Sequence, residues 1–166
     1  PILNTNPENP VINIRSFGGD PKAVAERVLA YARGLESGGI LSVSKHFPGH
    51  GDTDVDSHKA LPTVYYNRAR LDSIELLPFR EVIRAGLGGI MVGHLRVPEL
   101  EPDRLTAASL SRSVVTDVLK EELGFRGLVF TDALAMKAVS GERDVTAKAL
   151  RAGNDMVLVG RDIVQA

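Results

Sequence analysis

The stretch KHFPGHGDTDVDSH, residues 45–58, holds three of the chain's four histidines together with Asp52, Asp54 and Asp56. Metal binding, proton transfer and a solvated turn are the three uses open to such a set. Metal binding fits the spacing poorly. His46 and His50 are four apart, but Pro48-Gly49 between them denies the helix that would put both on one face. The three aspartates copy the first positions of a calcium loop, yet Ser57 stands where that loop needs glycine and Thr63 where it needs glutamate. No metal and no cofactor are expected.

Proton transfer asks for less. Asp56 and His58 are two apart, so in an extended segment both side chains leave the same side and the carboxylate can accept from one ring nitrogen. That contact fixes the tautomer, raises the histidine's pKa and leaves the other nitrogen free to exchange a proton near neutral pH. A second reacting group is then needed. Asp132 follows the apolar run at 128–131, where a strand end would aim its carboxylate into the same pocket; the alternative is an N-cap for a helical segment over 133–139. Both readings stand at this level. Ser57 and Thr131 lack the neighbouring base that a hydroxyl nucleophile requires.

The elements that would carry these groups alternate. Asp20-Pro21 is a cap followed by a first-turn proline, and Val24, Val28, Tyr31 and Leu35 give a helical stripe that Gly38-Gly39 ends. A strand over 40–44 leads into the histidine loop. Residues 71–85 read as a helix in two pieces, broken at Pro78. A strand over 89–93 leads to His94, and Ser109 is expected to cap a helix with Val114, Val115, Val118, Leu119 and Leu123 on one face. Strands over 128–131 and 156–159 follow, the latter after a helix around 145–152. Ile2 and Leu3 resemble the tail of a further strand.

Each strand is a continuous apolar run, the pattern of a parallel sheet buried on both faces, so the fold class is α/β. An open doubly wound sheet and part of a (β/α)8 barrel both fit. A whole barrel takes about 250 residues; 166 residues with about five of eight strands make an incomplete one. No dinucleotide or phosphate fingerprint follows any strand. Polar residues do recur just after strand ends, namely Asn4, Lys45-His46, His94 and Asp132, and in both architectures that edge binds ligands.

Composition narrows the ligand. A chain 43% hydrophobic and 25% charged is neither disordered nor membrane-spanning in pattern. Twenty basic against 21 acidic residues give a net charge of −1, without the basic runs of nucleic-acid binders. A neutral or small polar ligand is expected. There is no cysteine to report on redox compartment.

Read together and in order, NPENPVINIRSFGGDP, KHFPGHGDTDVDSH, VFTDALAM and AGNDMVLVG resemble the β-N-acetylglucosaminidase branch of glycoside hydrolase family 3. The resemblance covers the chain as one domain, 1–166, and implies the C-terminal part of a (β/α)8 barrel. It also implies a retaining exo-β-N-acetylglucosaminidase acting on terminal GlcNAc of peptidoglycan- or chitin-derived glycans. By that likeness Asp132 is the nucleophile, His58 the acid/base and Asp56 its partner. Arg15, Lys45 and His46 match positions that hold the sugar's hydroxyl and acetamido groups. His94, at the same rim, either lines the pocket or bonds a neighbouring loop; His50 shapes its loop. The partner implied is a carbohydrate, with no nucleic acid and no membrane span, in a bacterial cytoplasm or periplasm. Transfer to phosphate, a β-N-acetylglucosaminide phosphorylase, is the alternative reaction; a non-catalytic sugar-binding or metal-binding domain is the alternative of another class. The family's barrel begins before Pro1, so an incomplete barrel with little or no activity alone is expected.

Overall fold

The computed structural model describes residues 3–6, 9, 12–50 and 61–159. Asp56 and His58 therefore lie outside the described residues, as do Asp52, Asp54 and Ser57. A four-stranded parallel sheet in the order β1 (Val43–Phe47), β2 (Gly89–Val92), β3 (Val129–Ala133), β4 (Met156–Leu158) forms the centre. Sequential order with every neighbour parallel is the winding of a barrel wall. The fifth expected strand falls partly on residues outside the description, and Leu3 and Asn4 carry no strand structure.

Helix α1 (Pro21–Ser37) begins as its sequence dictates: the Asp20 carboxylate accepts from the Ala23 N–H at 2.7 Å, and Gly38 donates back to Leu35 O. Its buried face is Val24, Ala25, Val28 and Ala32. Tyr31, expected in that stripe, lies at its margin, is exposed, and stacks on Phe17. Residues 68–84 split as anticipated but into three: α2 (Arg68–Arg70), a wide π-type turn at Leu71–Glu75, and α3 (Leu77–Arg84) with Pro78 in its first turn. The wide turn closes with Leu76 N–H donating to Leu71 O, five residues back. The helix at Ser113–Glu122 is wound the same way, buries Val114, Val115, Val118 and Leu119, and is capped by Ser111, whose hydroxyl accepts from Val114 N–H. Ser109, expected as that cap, sits instead in a 3-10 turn at Ala108–Leu110 and is fully buried. Helix α4 (Val145–Ala152) ends at Gly153, whose positive φ of 110° suits glycine. Of residues 133–139, expected to be helical, Ala133 ends β3 and 134–139 form successive turns.

The main core lies between the sheet and α1, α3 and the Ser113–Glu122 helix, around Phe47, Phe79, Ile90, Val92, Val114 and Leu119. A smaller cluster of Ala107, Leu134 and Val139 packs beside the end of β3. β1 and β4 each pair on one side only among the described residues, and Ile40, Leu41, Met156 and Leu158 beside these edges are exposed. No described helix is long and apolar enough to cross a membrane.

Candidate active site

Strand β1 is displaced by three residues from its expected position, so Lys45 and His46 lie inside it and not beyond its end. The Lys45–His46 and Phe47–Pro48 peptides are cis. The β1–β2 register slips between Lys45 and Phe47, and the β3–β4 register slips between Phe130 and Ala133. Both irregularities fall on the stretches carrying His46 and Asp132, and ladder breaks of this kind re-aim side chains at strand ends. Thr131 compensates on β3: its buried hydroxyl accepts from Leu158 N–H at 3.0 Å.

Asp132 is the focus. Its side chain is 17% exposed, its Oδ1 accepts from the Ala133 N–H at 2.8 Å, and its Oδ2 lies 3.5 Å from Nε2 of buried His46. That separation is too long for a firm hydrogen bond. β2 runs between β1 and β3, and at its end stands Gly93, where a Cβ would come within 3.0 Å of the His46 Cβ. The missing side chain gives His46 room to reach across to Asp132.

Burial pushes His46 well below the ordinary histidine pKa of 6.5, and nearby His50, Lys45 and Arg15 push it further. The ring is neutral, and beside a carboxylate its proton belongs on Nε2; Nδ1 is buried with no hydrogen-bond partner among the described residues. Arg15 is exposed in the turn Asn13–Arg15, and Lys45 is half-buried in a groove with Phe17 and Tyr31; both bear on His46 electrostatically. His50 edges onto the His46 ring at 5.6 Å, and its carbonyl accepts from Asn9 at 3.0 Å, tying the N-terminal segment to the loop.

His94 has no exposed surface; Nδ1 is 2.7 Å from Ser109 Oγ and Nε2 3.0 Å from Ala133 O. Of the two places left open for it by sequence, it occupies the one bonded to a neighbouring loop, with neither nitrogen left for a ligand. Burial lowers its pKa, against the opposing pull of the Ala133 carbonyl and the Asp132 charge. Asp132 does not cap a helix, because no helix follows it. Among the described residues no three His, Asp or Glu side chains converge to hold a metal.

A family model described as glycosyl hydrolase family 3 N terminal domain matches residues 1–166. The chain belongs to glycosyl hydrolase family 3. A β-hexosaminidase A of Pseudoalteromonas piscicida is 41% identical over 95% of this chain and 28% of its own length. A β-hexosaminidase of Nitrosomonas eutropha is 39% identical over 98% of this chain and 47% of its own. The chain thus spans between about a quarter and a half of these relatives. A family 3 β-N-acetylglucosaminidase structure from Paenibacillus superposes with a TM-score of 0.92 at 44% identity, covering 96% of this chain and 31% of that one. The family fold makes the four-stranded sheet part of a barrel wall, with His46 and Asp132 at its carboxyl edge.

Several site residues gave no sign in the sequence. Gly93 read as the last residue of a strand and Ser109 as a helix cap. Glu75, within the stretch read as helical, is buried, pairs with Arg70 at 3.2 Å, and packs directly under Gly49, where a Cβ would come within 2.8 Å of the Glu75 Cβ. A carboxylate among apolar neighbours in IELLPF was the available signal for Glu75.

Proposed function

We propose that the protein is a retaining exo-β-N-acetylglucosaminidase that removes terminal GlcNAc from peptidoglycan- or chitin-type glycans, with Asp132 as nucleophile. The observation that carries the reading is the Asp132 carboxylate itself, half-screened at a strand's carboxyl end. One of its oxygens is fixed by a backbone N–H and the other faces a neutral imidazole, in a chain of a glycosidase family. A neutral neighbour leaves the carboxylate its full charge to attack with.

In the first step Oδ2 of Asp132 bonds to the anomeric carbon as the glycosidic C–O bond breaks, and the leaving oxygen takes a proton. The resemblance assigns that proton to His58, oriented by Asp56. In the second step neutral His58 takes a proton from water, the water oxygen attacks the anomeric carbon, and the aspartyl ester bond breaks, restoring the β configuration. Arg15, Lys45 and His46 are assigned by the resemblance to the sugar's polar groups, and the electrostatic influence of both cations on His46 is consistent with that assignment.

The test is hydrolysis of an aryl β-GlcNAc by the full-length protein, with and without phosphate, followed by trapping with a slow fluorinated glycosyl donor. Mass shift on the peptide containing Asp132, lost in Asp132→Ala, is the expected result. Accumulation of a sugar phosphate in the phosphate arm points to phosphorolysis, and a trap on another residue rejects the nucleophile assignment.

A further inference from the structure

We propose that His94 is a positioning residue for Asp132: its Nε2–H anchors the Ala133 carbonyl and so fixes the carboxylate that precedes it. The proposal rests on reading Asp132 as the nucleophile.

The proton assignment follows from the partners. A carbonyl can only accept, so Nε2, 3.0 Å from Ala133 O, carries the hydrogen. Nδ1 is then bare and accepts from the Ser109 hydroxyl at 2.7 Å. Ser109 is held in turn, since its carbonyl accepts at 2.8 Å from Nδ2 of Asn154, a buried side chain that also donates to Ala149 O at 2.7 Å. A line of hydrogen bonds therefore runs from the end of α4 through Ser109 and His94 to Ala133.

At its far end the line adds a side-chain anchor where the strand pairing is irregular. The β3–β4 register slips between Phe130 and Ala133, so Asp132 lies in a gap of the ladder whose next pair is Ala133 with Leu158. The peptide linking Ala133 to Leu134 is pinned at both ends: its carbonyl by His94 at 3.0 Å and by the Met136 N–H at 3.0 Å, and its N–H by Leu158 O of β4 at 2.9 Å. Ala133, held in this way, presents its own N–H to Asp132 Oδ1. Without the imidazole the Ala133 carbonyl keeps the Met136 N–H at 3.0 Å but loses its link to the Ser109 line, and the residue that aims the carboxylate is held less tightly. Complete burial keeps the ring neutral, which the arrangement needs, because a proton on Nδ1 would evict the Ser109 donor.

The test uses the full-length protein with His94→Leu, His94→Gln and Ser109→Ala. A displacement of about 1 Å at a reacting group costs roughly 100-fold in rate, so kcat is expected to fall by about 10- to 100-fold in His94→Leu while KM changes by less than about threefold. His94→Gln, whose Nε2 can donate to the same carbonyl, is expected to recover most of the loss. Ring 15N shifts are expected to show a neutral Nε2–H tautomer at pH 7 and above. Three results overturn the proposal: KM rising with kcat unchanged, His94→Gln as slow as His94→Leu in a folded protein, or an Nδ1–H tautomer. If His94→Leu does not fold, Ser109→Ala carries the kinetic test, with kcat unchanged as the refuting result. The ring spectrum does not depend on the reaction. An Nε2–H tautomer with the glycosyl trap on another residue therefore rejects the Asp132 assignment and the positioning role with it, while the hydrogen-bond line stands.

Discussion

Nε2 of His46 and Oδ2 of Asp132 meet at 3.5 Å across the end of the intervening strand, over a glycine. The pair is a neutral donor beside an anion, not a salt bridge, because burial holds the His46 pKa well below its ordinary value. His46 should accordingly leave no mark on the pH dependence of kcat/KM between about pH 5 and 8, the window in which an ordinary histidine titrates. His46→Asn is expected to lower kcat by roughly 10- to 100-fold, on the scale of a misplaced reacting group, while both limbs of the pH profile stay in place. A limb that disappears in this variant would show that His46 titrates in the reaction.

Gly93 sets the reach of that histidine. A methyl group there would press on the His46 Cβ at 3.0 Å, with Leu95 carbons behind it at 3.6 and 3.7 Å. Gly93→Ala should push the ring away from Asp132 and lower kcat more than it lowers thermal stability. Equal activity, measured beside an unchanged melting temperature, would show that His46 does not need this gap.

Stability should fall in mild acid. His46 and His94 are both held neutral by burial, with pKa values below the ordinary 6.5 that they regain on unfolding. Below pH 6.5 the unfolded chain takes up protons that the folded chain refuses. Their contribution is therefore complete above the unfolded value and is lost as pH falls toward the folded values, at up to about 1.4 kcal/mol per pH unit for each ring. Urea midpoints at pH 7 and pH 5 check this, and His94→Gln, which takes up no proton, should flatten the decline. An identical slope in the variant would remove His94 from the account.

Gly49 is expected to tolerate no side chain. Its φ is 145° and a Cβ would overlap the Glu75 Cβ at 2.8 Å. Overpacking of this kind costs about 1–3 kcal/mol. Chemical denaturation of Gly49→Ala should show a loss of that order together with reduced turnover; a wild-type midpoint would mean that Glu75 yields freely.

Asn154 ties α4 to Ser109 with two bonds from one buried amide nitrogen. Asn154→Ala removes the amide donor from the Ser109 carbonyl, while Ala149 O keeps the backbone N–H groups of Gly153 and Asn154, and should destabilise the fold by about 1–3 kcal/mol for the group left unsatisfied. Calorimetry of the variant is the check, and a shift within error would show that water replaces the amide.

Where a structural feature depends on near neighbours in the chain, the sequence alone determined it. Asp20-Pro21 and Gly38-Gly39 bracket α1 through local caps and backbone preference, and the apolar runs ending at His94 and Asp132 mark strand ends of a parallel α/β fold. The motifs around His46 and Asp132 were legible for the same reason: their residue types and order are themselves the signal. Tertiary structure decided what depends on partners far along the chain. β1 begins at Val43 because pairing with Gly89 on β2 sets its register, leaving apolar Ile40 and Leu41 outside the strand and exposed. Ser109 reads locally as a cap, and only the fold sets it against His94, 15 residues away. His94 in turn shows no preference for pocket or support until Ala133, 39 residues on, takes its second nitrogen. Propensity and periodicity act over a few residues, whereas the aim of a carboxylate is set by hydrogen bonds between strands that meet only when the sheet has closed around them.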